Sequence, residues 1–295
     1  MFSEANVNTG LIFLQKGKCA ARHRIRIKQY SADFADSDLS SASSESVEQG
    51  QWEADDENIF EFRQTGKVGQ LINKIMRDSV PLEMLFRASL GCQAYNSSKH
   101  TAEQIKRRAF HAARRISGQY LPELAGNDVG RYSIQRRSGQ WIKYGPWLHD
   151  YRSMDWLSGP RILIREITSR APYRICASYT DKIFCNYKTI LNVNPNEKSD
   201  MSMLCLLGII NSRLISFVYP YISNKIITAT FPRLAVGDVK KLPIPNIDFS
   251  KARNKQLHER IVGLVKQALQ LNERYNASTK SLDSTVVVRQ ISAVD

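Results

Sequence analysis

No two glycines in this 295-residue sequence stand one residue apart, no two prolines are adjacent, and no Gly-x-x-x-x-Gly-Lys run occurs. These absences exclude a Gly-x-Gly cofactor loop, the Asp/Asn-Pro-Pro-aromatic loop that holds a flipped base for amino-group methylation, and a phosphate-binding P-loop. No Pro-Asp precedes a Glu-x-Lys of the kind a nuclease site uses, and no serine or cysteine sits in a nucleophile elbow or beside a motif histidine. The five cysteines, Cys19, Cys92, Cys176, Cys185 and Cys205, include no Cys-x-x-Cys pair and stand near no histidine cluster. That argues against a zinc site and a disulfide framework, and for reduced thiols. His100 and His111 likewise lack a His-Glu-x-x-His or Cys-x-x-Cys context. No catalytic or metal-binding constellation can be named.

Acidic residues are scarce outside one block. Ten of the 28 Asp/Glu fall within residues 31–61, a segment without Lys or Arg and with a serine-rich centre, which reads as a solvated linker. Elsewhere 42 Lys/Arg face 18 Asp/Glu, a balance of +24 against +14 for the whole chain. Charge of this sign points to nucleic acid or an anionic membrane surface as partner and says little about fold. A membrane is disfavoured, because the most apolar segment, Met201–Tyr221, is interrupted by Asn211, Ser212 and Arg213 and reads as a buried helix. The first residues lack the pattern of a signal peptide, and a cytoplasmic location is expected. An apolar fraction of 42% over this length suffices for a sizeable core, in one large domain or two ordinary ones.

Strand-like patterns at Asn6–Leu14 and Arg24–Tyr30 flank Lys16-Gly17-Lys18 and predict a hairpin. An isolated hairpin is marginal in water, so it is expected to be the edge of a larger sheet. Val68, Leu71, Ile72 and Ile75 predict an amphipathic helix over Gly66–Asp78. Thr101 with Glu103 and Gln104 marks a second helix start. Ile105, Ala109, Ala112 and Ile116 then share one helical face and Arg107, Arg108, His111, Arg114 and Arg115 the other, which predicts a basic helix reaching toward Tyr120. Short strands are expected at Arg161–Ile167, Tyr173–Tyr179 and Lys182–Tyr187, then an apolar helix over 201–218 and an extended run at Lys225–Phe231. Leu242-Pro243-Ile244-Pro245 cannot be helical. Leu257, Ile261, Leu264, Val265, Ala268, Leu271 and Tyr275 trace one face of a long C-terminal helix. The fold class expected is α+β, with a small mixed sheet, a basic helix and a C-terminal helical section.

The stretch Leu121–Thr168 holds three of the four tryptophans, Trp141, Trp147 and Trp156, together with Tyr132, Tyr144 and Tyr151. Among them run Arg131, Arg136, Arg137, Lys143, Arg152, Arg161 and Arg165. Cations hold phosphates while planar rings read or stack on bases, so the pattern suits a surface that meets a polyanion. It equally suits an irregular aromatic core with a solvated face of arginines, and composition leaves both open. The nucleic-acid reading takes as contacts Arg107, Arg108, Arg114 and Arg115 on the basic helix, and Arg131, Arg136, Arg137, Lys143, Trp141 and Tyr144 in the loop-rich segment.

Several ordered motifs carry a resemblance: Gly91–Asn96 (GCQAYN), His100-Thr101, Leu121–Asn127 (LPELAGN), Tyr144–Tyr151 (YGPWLHDY), Gly159–Thr168 (GPRILIREIT), Leu207–Ser212 (LGIINS) and Leu242–Pro245 (LPIP). They resemble the TaqI-like specificity domain, the C-terminal target-recognition part of adenine-specific DNA methyltransferases and type IIG restriction-modification enzymes. Asn6–Ile12 resembles a strand near the end of their methyltransferase domain. The resemblance implies recognition of a duplex DNA sequence for adenine-N6 methylation, with the base flipped into a catalytic domain that uses S-adenosylmethionine. It implies no cofactor in this chain, because the cofactor and catalytic motifs would lie upstream of Met1. The implied division is a methyltransferase remnant over residues 1–30, a linker over 31–62, a target-recognition domain over 63–248, and a C-terminal helix with a shortened tail over 249–295. The chain is then either a truncated gene product or one part of a split system whose catalytic half is a separate methyltransferase chain. A nucleic-acid-binding protein without sequence preference and a methyltransferase completed by a partner chain remain the alternatives.

Overall fold

A computed structural model describes residues 10–20, 22–28, 30, 44–53, 66–223, 232–277, 290–291 and 294. The chain forms two compact units, Met1–Asp78 and Ser79–Asp295. In the first, β1 (Arg24–Lys28) pairs antiparallel with β2 (Ser44–Glu48), followed by α1 (Gln49–Glu53) and α2 (Gly66–Arg77). This departs from the expected hairpin. Residues 10–14 form no strand, residues 6–9 lie outside the described ones, and the partner of β1 comes from the acidic block read as linker. Charge complementarity accounts for the pairing. Arg24 stands opposite Glu48, its Nη1 3.5 Å from the carboxylate, and its Nε and Nη2 donate to Ser46 Oγ at 3.0 and 2.8 Å. A cross-strand pair of opposite charge stabilises a ribbon where two basic strands would repel. The helix expected at Gly66–Asp78 is present as α2, with Ile72 buried and Lys74 and Arg77 in its last turn, where cations suit the helix dipole.

The second unit runs β3 (Ser79–Pro81), β4 (Arg87–Leu90), α3 (Ala102–Lys106), β5 (His111–Ala112), β6 (Tyr120–Leu124), β7 (Val129–Gly130), β8 (Ser133–Ile134) and β9 (Trp141–Lys143). It continues with β10 (Arg161–Arg165), β11 (Ala177–Thr180), β12 (Cys185–Asn186), β13 (Ile190–Asn194), α4 (Met203–Ile210), α5 (Arg213–Ile222), α6 (Val236–Lys240), β14 (Pro243–Pro245) and α7 (Ala252–Ala277). The class is α+β, with two four-stranded sheets and two two-stranded ribbons, β14-β3 and β7-β8. One sheet, β11-β10-β13-β4, is antiparallel; the other, β12-β6-β9-β5, is mixed, with β12 parallel to β6. The two prolines of Leu242–Pro245 sit in a short ribbon of β14 with β3.

Strand β10 joins two cores. Successive side chains of a strand point to opposite faces, so Ile162 and Ile164 enter the large core with Leu206, Ile210, Tyr219 and Val265, while Leu163 enters a smaller one with Leu124, Val129 and Ile190. A third cluster, around Cys92, Ala94, Ile142, Leu148, Leu157 and Cys185, involves the second sheet. The apolar run expected as one helix over 201–218 is instead α4 and α5, bent by 69°. Asn211 explains the break. It is fully buried, its Oδ1 accepts from Ala177 N and its Nδ2 donates to Ala177 O, both at 3.0 Å, and Ser212 Oγ then accepts from Ile215 N at 3.1 Å to cap α5. Leaving such an amide unpaired inside the protein costs about 1–3 kcal/mol. Among the described residues no single helix is long and apolar enough to cross a membrane. The run Lys225–Phe231 lies outside the described residues. The long C-terminal helix is present as α7, with Val265, Ala268 and Leu271 buried. At Gly208 of α4 an added Cβ would lie 2.9 Å from Ile261 Cγ2 and Val265 Cγ2, so the missing side chain is what lets α4 approach α7.

Candidate nucleic-acid interface

The basic helix is far shorter than its periodicity predicts. Its start is as expected: Gln104 N donates to Thr101 Oγ1 at 3.2 Å and Thr101 N to Gln104 Oε1 at 2.9 Å, a capping box. It ends at Lys106, Arg108 takes a φ of 49°, and His111–Ala112 pair with β9 as β5. Packing overrides the helical pattern here. The Phe110 ring stacks on Tyr95 with centroids 5.3 Å apart, and Phe110 N donates to Tyr95 Oη at 2.8 Å. His111 is held between Tyr95 Oη at 2.8 Å from Nδ1 and Glu123 Oε1 at 3.0 Å from Nε2. A helix continued through these residues would forfeit all of these contacts. Arg107, Arg108, Arg114 and Arg115 stay exposed but share no helical face. Two of them have acidic neighbours: Arg107 is 2.8 Å from Glu103, and Arg108 is 3.6 Å from Glu123. The exposed Arg107–Glu103 pair is worth about 0–1 kcal/mol, whereas the Glu123 carboxylate beside Arg108 is buried.

In the central stretch, rings and cations pair with one another. Arg136 lies 4.6 Å over Trp141, Lys143 4.9 Å over Trp147, and Arg87, from outside the stretch, 4.8 Å over Trp156. Arg131 is 3.8 Å over Tyr173 and 5.0 Å from the Tyr132 ring, and Arg213 approaches the Tyr173 ring at 5.4 Å. Each contact is worth about 0.5–1 kcal/mol at an exposed site. Its larger effect is to fix the orientation of a long side chain.

The backbone holds these pairs in place. Arg131 and Tyr132 form the tip of the β7–β8 hairpin, where Tyr132 adopts a φ of 57° and its N donates to Ala177 O at 2.9 Å. Asp128 is buried and accepts from Ala125 N at 2.8 Å and Arg137 N at 3.0 Å, tying the turn after β6 to the Arg136-Arg137 segment. Arg136 Nη2 donates to Gly139 O and Gln140 O, both at 2.7 Å. The Trp147 ring lies against Gly145, where a Cβ would meet it at 2.4 Å. His100 Nε2 is 2.8 Å from Trp147 O, and Lys99 Nζ donates to Pro146 O and Leu148 O at 2.7 and 2.6 Å.

Other members of the stretch face inward. Tyr144 packs on the third cluster, exchanges hydrogen bonds with the Arg152 main chain, and has its hydroxyl pKa raised by burial and then by the nearby Cys92. Arg152 forms a two-point pair with Asp150 at 2.8 and 2.9 Å. Arg161 is wholly buried; Nη1 donates to Lys182 O at 2.9 Å and Gly159 O at 3.2 Å, and burial pulls its pKa down to about 10 against the opposing charge of Asp181. Arg165 donates to Ile167 O at 2.9 Å and Ser169 Oγ at 2.6 Å. The aromatics of the stretch thus include rings that pack on the core, such as Tyr144, and rings that lie beneath cations, such as Trp141 and Trp147. Among the described residues, no group of three or more His, Cys, Asp or Glu side chains could hold a metal ion.

Residues 121–244, which contain most of this geometry, match a protein-family description. That description is the TaqI-like C-terminal specificity domain. A protein of Methanocaldococcus jannaschii named as a type II restriction enzyme and methyltransferase is 26% identical over 162 residues, 55% of this chain. The chain spans only 13% of that relative's length. Among solved structures, the HsdS subunit of Thermoanaerobacter tengcongensis is similar over 77% of this chain and 49% of its own, at 13% identity and a TM-score of 0.36. The type IIL restriction-modification enzyme MmeI in complex with DNA is similar over 73% of this chain and 32% of its own, at 10% identity and a TM-score of 0.40. Both likenesses are partial.

Within residues 121–244, the motifs have distinct local duties. Glu123 of LPELAGN receives His111, and Trp147 of YGPWLHDY lies beneath Lys143. Arg161 of GPRILIREIT is a buried strut, and Asn211 of LGIINS clasps the edge of β11. Arg131 Nε donates to Asn211 O at 3.2 Å, which links that clasp to the hairpin tip. Sequence reasoning missed Arg87, Tyr173 and Arg213, which lie outside the aromatic stretch or carry no motif signal.

Proposed function

We propose that this chain reads a duplex DNA sequence on behalf of a restriction-modification methyltransferase, in the cytoplasm. The observation that supports the reading is the set of ring-braced cations in the specificity domain: Arg136 and Lys143 lie over Trp141 and Trp147, and Arg136 and Arg137 bond to carbonyl and amide oxygens rather than to carboxylates. Such cations keep their charge for phosphates and guanine, and the bracing reduces the entropy lost on contact. In this reading Arg107, Arg108, Arg114 and Arg115 hold phosphates without reading sequence, while Arg131, Arg136, Arg137 and Lys143 enter a groove with Trp141 beside them. In this reading, base flipping and adenine-N6 methylation with S-adenosylmethionine belong to a separate catalytic domain.

The test is binding of the full chain to a pool of randomised duplexes, with affinity followed as salt is raised. A single enriched sequence is expected. If about five phosphates are neutralised, log affinity falls with log salt at a slope of roughly −4 to −5. A flat salt titration or a pool that enriches nothing would overturn the proposal.

A further inference from the structure

A cleft of about 320 Å³ opens between the 127–137 segment, Arg165 and the last turns of α7. It is polar. A chain of hydrogen bonds crosses it: Arg137 Nη2 and Nε donate to Gln135 Oε1 at 3.1 and 3.3 Å, Gln135 Nε2 donates to Asn276 Oδ1, and Asn276 Nδ2 donates to Ser133 Oγ at 3.0 Å. Asp128 is the one carboxylate in the lining, and its oxygens accept from the backbone of Ala125 and Arg137.

We infer that Gln135 and Asn276 are a base-reading pair, and that the last turn of α7 is thereby part of the DNA-reading surface. The inference rests on the proposal that the chain reads duplex DNA. A carboxamide has two N–H donors and two acceptor lone pairs. Gln135 Oε1 takes both bonds from Arg137 and its Nε2 gives one to Asn276, which leaves Gln135 one N–H donor, while Asn276, with one donor and one acceptor position engaged, keeps a donor and a lone pair side by side. That is the pattern that meets N6 and N7 of adenine, while Arg137 at the end of the same chain suits O6 and N7 of guanine. A purely structural clamp is the poorer account, because Asn276 is exposed on the final turn of the helix and α7 is already anchored by Val265, Ala268 and Leu271. The two amides come from positions far apart in the chain and meet only at this cleft. The cleft is open at the surface.

The test repeats the selection from randomised duplexes with the full-length chain and with Asn276→Ala, Gln135→Ala and Gln135→Glu. Both alanine variants are expected to lose preference at the same one or two positions of the enriched sequence, by about fivefold to a hundredfold each. Gln135→Glu, close to isosteric, should move the preference at that position toward cytosine, whose N4 amino group it can accept. An unchanged enriched sequence with unchanged discrimination in every variant would overturn the inference while leaving the DNA-reading proposal standing. An equal loss of affinity for all sequences would also overturn it and would make the pair a phosphate contact. If the unsubstituted chain enriches no sequence, both proposals fail together. Thermal midpoints of the variants, expected within about 3 °C of the parent for exposed substitutions, separate lost reading from lost folding.

Discussion

Replacing Asp128 should unlock the segment that carries the reading residues. The residue is 3% exposed, its carboxylate accepts from Ala125 N at 2.8 Å and Arg137 N at 3.0 Å, and its carbonyl accepts from Gln135 N at 2.8 Å. Asp128→Ala leaves two backbone donors without their acceptor. A hydrogen bond to a charged group contributes about 1.5–3 kcal/mol, so two at the lower end amount to about 3 kcal/mol. For a unit of this size each kcal/mol moves the melting temperature by about 2–4 °C, which gives a fall of about 6–12 °C. Asp128→Asn keeps one acceptor oxygen but turns an NH2 toward the other backbone donor, so most of that loss should persist. Urea unfolding followed by tryptophan fluorescence measures both variants, with DNA affinity determined in parallel. An Asp128→Asn chain that unfolds with the parental midpoint, or an Asp128→Ala loss below about 1 kcal/mol, would refute the reasoning.

Three further outcomes are expected. Burial pushes the Cys205 thiol from 9.0 up to about 11 and the Tyr219 hydroxyl from 10.0 up to about 12, so the fold favours both neutral forms. The stability they support is complete below their unfolded values and is lost as pH rises through the folded ones; melting temperature should fall between pH 9.0 and about 12, and Cys205→Ala should flatten the earlier part of that fall. Gly208→Ala should destabilise by about 1–3 kcal/mol in urea unfolding, because its Cβ meets Ile261 and Val265 at 2.9 Å, and adding Val265→Ala should restore part of the loss. No recovery in the double variant would place the strain elsewhere. Arg114→Ala and Arg115→Ala should weaken binding to selected and random duplexes alike, whereas Arg136→Ala should narrow the gap between them by about fivefold to a hundredfold. A common pattern in direct titrations would mean that the ring-braced segment does not read sequence.

What was legible in the sequence was local pattern. The stripe from Leu257 to Leu271 marks α7 because a long amphipathic helix repeats one signal over many turns, and the apolar run Ile162–Ile164 marks a strand buried on both faces. The basic helix failed because its periodicity competes with single long-range contacts: Phe110 finds the Tyr95 ring and His111 finds Glu123, and neither partner can be read from helical spacing. The partner of β1 was missed for a related reason, since composition marked residues 44–48 as linker while their acids are what the basic strand pairs with. In the candidate interface the cation–ring pairings were not legible in the sequence. Arg87 reaches Trp156 from another strand, and Asn276 meets Gln135 from the far end of the chain. Arg152, Arg161 and Arg165 proved to be engaged in internal bonds, as did Arg131, Arg136 and Arg137 on carbonyl or amide oxygens, because charge alone does not reveal which guanidinium groups fold back on the protein's own oxygens.

The central claim, that this chain distinguishes one duplex sequence from others, is tested most directly by the ratio of its dissociation constants for random and for selected duplex of equal length, measured at one physiological salt concentration. The account predicts a ratio of about a thousandfold or more, as specific DNA readers show. A ratio within about tenfold, well short of that range, would contradict it and leave only the charge-driven binding of a basic surface.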